Sequence, residues 1–354
     1  MTKFLWRLPS RGDGRRADPG LRHRDGFDDI AQVVRAAELS GLDGLVAPYD
    51  PDGEESWIVA GGALRSTRHS RIVVEFPADF GTPVYAAKMS ATLQRLSAGR
   101  LSWWLAVDPA ERTPSSEPVS GKRCYDTTLH SRVVTSGYAR AEEFLTVARG
   151  VWNERSVPAA GFRGTGFDFD GEYYDVVDGG FRGILSGLPF PTVYLSGGSL
   201  ELSARHADVH VFAETADDGA LERSVAALGE HAARAGRTVR AGLDVPVVAR
   251  QTDAEAWARV HRQWRELNRP GQDGERLRLD EDRWAGFTEL GHRHPIGLVG
   301  SYERVAARLR AYQDAGFDTF VLSGHPHIEE VHRAGEHLLF LADPAGRTLE
   351  VSTT

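Results

Sequence analysis

The strongest constraint on the fold is an alternation of short β-rich runs with helical patterns along the 354-residue chain. Segments such as FDDIAQVVRAAELSG and YERVAARLRAYQDAG have apolar residues at three- and four-residue spacings and end on glycine, as amphipathic helices do. Strands that alternate with helices form βα units and a parallel sheet. The predicted strands are 3–9, 43–48, 71–77, 101–107, 191–195, 208–213, 239–249 and 318–323.

Eight strands with intervening helices predict an α/β fold of the (β/α)8 TIM-barrel type. The chain is 41% apolar and 26% charged, and a single barrel of this length is ordinary, so we expect one domain over residues 1–354. A doubly wound open sheet is the alternative. No GxGxxG motif follows the first strand, which favours the barrel.

Three segments interrupt the alternation. Residues 108–137 follow the fourth strand and residues 268–296 follow the seventh, and both are long, polar and turn-rich. Loops of that length in a compact domain are usually lids or disordered segments, and we interpret the first as a lid, with a featureless insertion as the alternative. Residues 165–176 predict a small hairpin before the fifth strand, turning at Asp170-Gly171.

Composition excludes several classes of protein. No stretch approaches the roughly 20 apolar residues of a membrane span, and the polar N-terminus lacks the apolar centre of a signal peptide. We therefore expect a cytoplasmic protein without membrane contact. The single cysteine, Cys124, excludes an intramolecular disulfide and any cysteine-rich metal site. The net charge of −8 argues against a nucleic-acid-binding surface.

The eighth strand ends in a candidate catalytic loop. Residues 317–336 read FDTFVLSGHPHIEEVHRAGE, so His325 and His327 fall between a strand end and a helix start, where barrel enzymes place their chemistry. Imidazole transfers protons near neutral pH, which makes His325 a catalytic candidate. His327 could instead cap or pack at the helix start. No third ligand has recognisable spacing, so we predict no metal site.

Two other loops carry candidate binding groups. Ser196-Gly197-Gly198-Ser199 follows the fifth strand, where glycines allow close backbone approach and serines can donate to a phosphate; a glycine-rich turn with a serine cap is the alternative. In the first βα loop, Arg11 can bind a carboxylate, sulfonate or phosphate, and Asp13 can orient it. A solvated charged turn explains that loop equally well.

Three of these motifs carry a family resemblance. FLWRLPSRGDG at 4–14, FPTVYLSGGS at 190–199 and the 317–336 block resemble the alkanesulfonate monooxygenase branch of the bacterial-luciferase-like flavin oxidoreductases. The resemblance implies a homodimer that takes reduced FMN from a separate reductase, reacts it with O2 and uses the flavin C4a-peroxide on an organic substrate. It also implies that Ser196 to Ser199 bind the flavin phosphate, that Tyr138 faces the cofactor, and that His325 and Arg11 replace a tyrosine and a histidine near the reaction centre.

The sequence departs from the family at several positions. Gly53 stands where a cysteine is usual, and Asp244 and Pro246 stand where an arginine and a histidine are usual. Asp244 would repel a sulfonate and could bind an amine, so we expect a substrate other than a simple alkanesulfonate. Trp104 replaces an asparagine that touches the flavin, and Val134 replaces a histidine. These last changes leave open a deazaflavin F420-dependent oxidoreductase and a non-catalytic ligand-binding barrel or subunit.

Overall fold

Eight parallel strands close into a barrel. The computed structural model describes residues 2–10, 26–107, 127–154, 166–181, 187–197, 199–266 and 274–347. The strands are β1 (Lys3–Arg7), β2 (Gly44–Ala47), β3 (Arg71–Pro77), β4 (Leu101–Ala106), β5 (Phe167–Asp170), β6 (Asp175–Gly179), β7 (Thr192–Ser196), β8 (Val209–Ala213), β9 (Arg240–Arg250), β10 (Arg283–Trp284), β11 (Gly297–Ser301) and β12 (Phe317–Ser323). The barrel order is β1-β2-β3-β4-β7-β8-β9-β12, and β12 pairs with β1 to close it. The predicted barrel is confirmed.

Helices surround this barrel. They are α1 (Gly26–Leu39), α2 (Ser56–Ser66), α3 (Pro83–Ser97), α4 (Thr127–Asn153), α5 (Leu200–His206), α6 (Ala220–Arg234), α7 (Asp253–Glu266), α8 (Tyr302–Asp314), α9 (His327–Arg333), α10 (Leu339–Ala342) and α11 (Pro344–Arg347). Side-chain oxygens of Thr82, Ser199 and Ser301 accept hydrogen bonds from backbone N–H groups in the first turns of α3, α5 and α8. Within the described residues, no helix is both long and apolar enough to cross a membrane.

The apolar core has an inner and an outer shell. The outer shell packs the helices against the barrel. The inner shell fills the barrel itself, with side chains from alternate positions of its strands, as expected for a packed barrel rather than a pore. It consists of Leu5, Val46, Val73, Trp104, Tyr194, Val209, Val211 and Val321. Above this shell, at the carboxyl ends of the strands, the barrel interior becomes polar.

The hairpin prediction is also confirmed. β5 and β6 pair antiparallel, with Asp170 opposite Asp175 and the Gly171 N–H donating to the Tyr174 carbonyl oxygen at 3.0 Å. Of the two long insertions, residues 108–126 lie outside the described residues. α4 begins at Thr127, ten residues before the expected end of that insertion.

The second insertion needs a correction. In its described part, two 3-10 helices (Gly274–Leu277 and Phe287–Leu290) and β10 replace the irregular loop that polarity predicted. β11, which the sequence did not predict, pairs parallel with Val247–Arg250 at the far end of β9. The run GLVGS has two glycines in five residues, which hides its β character. The insertion is therefore built onto the active-site end of the barrel.

Candidate active site

A layer of buried charges lies across the mouth of the barrel. Arg7 at the end of β1 donates from NH1 to Glu75 Oε2 on β3 at 2.8 Å and from NH2 to Asp244 Oδ2 on β9 at 2.6 Å. None of the three residues is more than 7% exposed. A buried charge is tolerated when it is paired and hydrogen-bonded, so each residue requires the others.

The mouth layer keeps both acids ionised. Burial alone would raise the pKa of Glu75, but the guanidinium groups of Arg293 and Arg7 outweigh it and hold that pKa below its ordinary value. Burial would likewise raise the pKa of Asp244, and Arg7 and His294 lower it well below its usual range. Both carboxylates are therefore charged throughout the neutral range.

Two further members of the layer come from residues Gly291–His294, here called the mouth turn. Arg293 NH1 donates to Glu75 Oε1 at 2.5 Å, and His294 Nε2 lies 3.2 Å from Asp244 Oδ2. Glu75 therefore binds two guanidinium groups, one from the barrel and one from the turn. Arg7 Nε and Arg293 NH2 are buried and have no hydrogen-bond partner among the described residues. The unused hydrogen-bonding capacity of the two arginines in the mouth consists of N–H donors.

A cavity of about 270 Å³ adjoins this layer. Its walls come from the ends of β4, β7, β8 and β9 and from the mouth turn, and they are formed by Trp104, Ser196, Gly197, His210, Val211, Phe212, Ala213, Asp244, Arg293 and His294. Ligand sites of barrel enzymes lie at this end. The volume is slightly below the roughly 300 Å³ at which ligand pockets begin.

Trp104 connects the cavity to the predicted phosphate loop. Its indole Nε1 donates to Ser196 Oγ at 2.8 Å, and the guanidinium carbons of Arg7 and Arg293 lie 5.0 and 6.0 Å from its ring centroid. Ser199 Oγ accepts from the Leu202 N–H at 3.2 Å and so caps α5, the structural alternative that the sequence allowed. Ser196 and Gly197 line the cavity, whereas Gly198 lies outside the described residues.

His325 lies beside the cavity in a cluster of three imidazoles. Its ring centroid is 4.3 Å from that of His292 and 4.6 Å from that of His327. Burial lowers the pKa of His325 to about 4 and those of His292 and His327 well below their ordinary value. His325 is not among the described residues that line the cavity. No group of three or more His, Cys, Asp or Glu among the described residues has a metal-binding arrangement.

The other residues selected from the sequence lie away from the cavity wall or outside the described residues. Gly53 has no room for a side chain, because a Cβ there would lie 2.7 Å from the Ser10 carbonyl oxygen. At Gly53 the loop after β2 therefore packs directly against the backbone of the loop after β1. Tyr138 is half-buried on α4, packs against the main core and is not among the residues that form the cavity wall. Arg11 and Asp13 lie outside the described residues.

Asp244 requires a correction to the electrostatic argument made from the sequence. Considered alone, it was expected to repel a sulfonate or to bind an amine. The structure pairs it with Arg7 and His294, so its charge is already compensated. The loss of donors at Gly53 and Pro246 still stands, but the repulsion attributed to Asp244 loses its basis.

Four residues of the mouth were absent from the sequence-based candidates: Arg7, Glu75, Arg293 and His294. Arg7 and Glu75 did carry a signal, since each is a charged residue within an apolar strand, in KFLWR and RIVVEFP. A buried strand accepts a charge only if a partner reaches it. Arg293 and His294 carried no such signal, because their segment reads as exposed and polar.

Comparisons with known proteins agree with this architecture. The model of the family described as luciferase-like monooxygenase matches residues 2–319. EDTA monooxygenase from Chelativorans sp. BNC1 superimposes with a TM-score of 0.68 at 18% identity, covering 100% of this chain and 96% of that one. Long-chain alkane monooxygenase gives 0.71 at 16% identity, with coverages of 98% and 92%.

A third similar structure is an F420-dependent secondary alcohol dehydrogenase in complex with an F420-acetone adduct. Its TM-score is 0.64 at 16% identity, and the match covers 96% of this chain and 98% of that one. At such identities these structures support the fold alone. None of the three singles out the alkanesulfonate branch that the motifs suggested.

Proposed function

Because the chain belongs to the luciferase-like monooxygenase family, we propose that it oxygenates a small organic substrate with reduced FMN and O2. The proposal includes a separate NAD(P)H-dependent reductase that supplies the flavin, and a homodimeric assembly. The observation that carries it is the cavity at the active-site end of the barrel, which combines an indole wall, the Ser196-Gly197 turn and Arg293, whose NH2 group has no hydrogen-bond partner among the described residues. Such a convergence of polar groups on a concave site is typical of ligand pockets.

The residues of the mouth fit a flavin in their chemistry. A reduced flavin carries carbonyl oxygens and negative charge on its ring, and the guanidinium group of Arg293, which lines the cavity, is suited to such acceptors. Ser196 and Gly197 would bind its phosphate side, and Trp104 would contact the ring system. Bound reduced flavin would supply the electrons that activate O2.

The protein's own contribution is electrostatic and steric. The mouth layer pairs Glu75 and Asp244 with cations, so the acids do not repel a negatively charged ring. Arg293 and His294 cover the barrel interior from above. This cover reduces the contact of the cavity with solvent, which would strengthen each charged hydrogen bond within it. His325 would not need to contact the reacting atoms for the site to bind flavin.

The substrate would carry acceptor groups rather than a cation. In the mouth, the oxygen atoms of Glu75 and one oxygen of Asp244 already accept hydrogen bonds, whereas Arg7 Nε and Arg293 NH2 have no partner in the part of the chain that the structure describes. A substrate amine would compete with Arg7 for Asp244, while a carboxylate or carbonyl would use a spare N–H group. A simple alkanesulfonate would still find no hydrogen-bond donor side chain at Gly53 or Pro246.

An F420-dependent oxidoreductase is the second candidate, since the F420-dependent alcohol dehydrogenase has a similar fold with a TM-score of 0.64. An anaerobic titration that follows tryptophan fluorescence separates the candidates, because Trp104 lines the cavity. We expect quenching with affinity in the order reduced FMN, then FAD or oxidised FMN, then F420. Equal affinity for reduced and oxidised FMN would contradict the reduced-flavin proposal. Binding of F420 alone would establish the second candidate, and binding of neither would indicate a non-catalytic barrel.

Ser199→Asp provides a matched test of the phosphate position. Aspartate is itself a good helix cap, so the variant should preserve α5 while it places a negative charge beside the proposed phosphate. We expect reduced FMN to bind at least about ten-fold more weakly, on the basis of about 1.5–3 kcal/mol per hydrogen bond to a charged group. Thr82→Asp, at the exposed cap of α3, is the control. Unchanged affinity in Ser199→Asp would place the phosphate elsewhere.

A further inference from the structure

We propose that His325 is a positioning residue, which acts through Gly291 and His292 to hold Arg293 and His294 in the barrel mouth. This inference deepens the proposed function, because it concerns the same site. It also changes the role expected for His325 from its sequence position, since the residue would act on the mouth turn and not on the reacting atoms.

The contacts of His325 run directly to the mouth turn. Its ring donates a hydrogen bond to the Gly291 carbonyl. Because Nδ1 is buried without a partner among the described residues, the donor is Nε2. The ring also packs on that of His292, with an interplanar angle of 55°. Its own carbonyl oxygen accepts from Gln263 Nε2 at 2.7 Å and Arg259 NH2 at 3.3 Å, which fixes the residue to α7.

The two neighbouring imidazoles are fixed as well. His292 Nδ1 lies 3.1 Å from Ser323 Oγ at the end of β12. His327 Nδ1 accepts from Trp6 Nε1 at 3.1 Å, which connects the start of α9 to β1. The three rings therefore form a wedge between two barrel strands and the mouth turn. Side chains that are held on several sides in this way can orient the residues that follow them.

The consequence for the mouth is geometric. Arg293 and His294 directly follow His292, and their partners are Glu75 at 2.5 Å and Asp244 at 3.2 Å. A displacement of the turn by about 1 Å would take the His294–Asp244 contact beyond hydrogen-bonding distance. Loss of the wedge would therefore release the turn's ionic contacts before it affected the barrel core.

The packing of the wedge requires that its imidazole rings be neutral. A proton on His325 Nδ1 would be a buried donor without a partner, next to His292, His327 and Arg259. Among the described residues, Asp244 acts on His292 and is already paired with Arg7. Glu330, which lies against Gly324, is likewise paired with Arg250. Burial lowers the pKa of His325 to about 4, so the wedge is neutral at pH 7 and should loosen as the pH falls toward that value.

Hydrogen exchange of the peptide 286–296, measured without flavin, tests the wedge. The Gly291 and His292 amides donate to the carbonyls of Thr288 and Phe287 and should be protected at pH 7. His325→Phe keeps an aromatic ring but removes the donor, and we expect exchange about 5–10-fold faster, the scale of one lost hydrogen bond. His325→Gln retains an N–H donor and should recover most of the protection.

His332→Phe, at an exposed position on α9, which begins two residues after His325, is the matched control and should exchange like the parent protein. Parental exchange in His325→Phe would overturn the proposal. Equal acceleration in His325→Phe and His325→Gln would also overturn it, because the effect would then be one of packing alone. Thermal melting of each variant verifies that the barrel is folded.

Coupling to Arg293 provides the second readout. If His325 acts through the mouth turn, the effects of His325→Phe and Arg293→Lys on reduced-FMN affinity should be non-additive in the double variant. Additive effects would contradict the proposal. If the parent protein binds no flavin, the proposed function fails while the exchange experiment still decides the positioning role.

Discussion

Lowering the pH from 7 to 5 should destabilise the protein through its buried histidines. Burial lowers the pKa values of His206, His210 and His325 from 6.5 to about 4, and it also lowers those of His292 and His327 well below 6.5. The unfolded state therefore binds more protons than the folded state between about pH 6.5 and 4. Stability is highest above that window and falls as the pH drops through it. Each histidine with a folded pKa of about 4 costs about 2 kcal/mol between pH 7 and 5.

Five such groups would remove about 5–10 kcal/mol, which is comparable with the total stability of a typical domain. Glu214 and Glu330 oppose part of this loss, because burial raises their pKa values and the folded state takes up their protons first. Urea unfolding at pH 7, 6 and 5 measures the net effect. A free energy of unfolding that stays constant over this range would refute the reasoning.

One variant isolates the contribution of a single group. His210 is 1% exposed, and its Nδ1 lies 2.7 Å from Ser203 Oγ. His210→Gln removes the titrating ring, so the loss of stability between pH 7 and 5 should shrink by about 2 kcal/mol even if the variant is less stable at pH 7. His332→Gln, at an exposed site, is the control and should leave the pH dependence as in the parent.

Three further predictions concern the mouth and its neighbouring loop. Glu75→Gln leaves two buried guanidinium groups without their shared carboxylate and should cost about 3–5 kcal/mol in urea unfolding, and a cost below 1 kcal/mol would contradict the buried network. Gly53→Ala should cost about 1–3 kcal/mol, because its Cβ would overlap a backbone carbonyl, whereas Gly62→Ala in α2 has open space and should be neutral or stabilising in the same thermal melt. In an oxygen-consumption assay with FMN, NADH and a reductase, carboxylates should be better substrates than amines, because Asp244 is paired and Arg293 NH2 has no acceptor among the described residues; the reverse order would contradict this assignment.

The barrel could be predicted because its signal is local and repeated. Each barrel strand is a short apolar run, and each is bounded by turns and followed by a 3.6-residue periodicity. All eight runs match observed strands. β11 was not predicted, because its two glycines weaken the local β-strand signal. It forms a strand because the far end of β9 offers it a pairing partner. Pairing over about 50 residues of sequence cannot be inferred from a five-residue run.

The position of the candidate site in the fold could be predicted from the sequence, but several of the residues that form it could not. The family resemblance selected Asp244 and Trp104, and the strand-end rule selected Ser196; all three line the cavity. The strand-end rule also selected His325, but this residue lies beside the cavity and packs against His292 of the mouth turn. Arg293 escaped notice because its segment is polar and its partner, Glu75, is 218 residues away in sequence. No spacing rule connects two such positions.

The charged residues of the mouth can be understood only together, because each one compensates the charge of another. Asp244 occupies a position where the alkanesulfonate monooxygenases carry an arginine, which alone suggested a reversal of the pocket's charge. Arg7 pairs with Asp244, and Glu75 pairs Arg7 with Arg293, so two acids are balanced by two guanidinium groups that come from different parts of the chain. Each residue alone would be a costly buried charge. Together they place guanidinium groups in the mouth, and a substrate bound in the cavity would meet the N–H donors of Arg293.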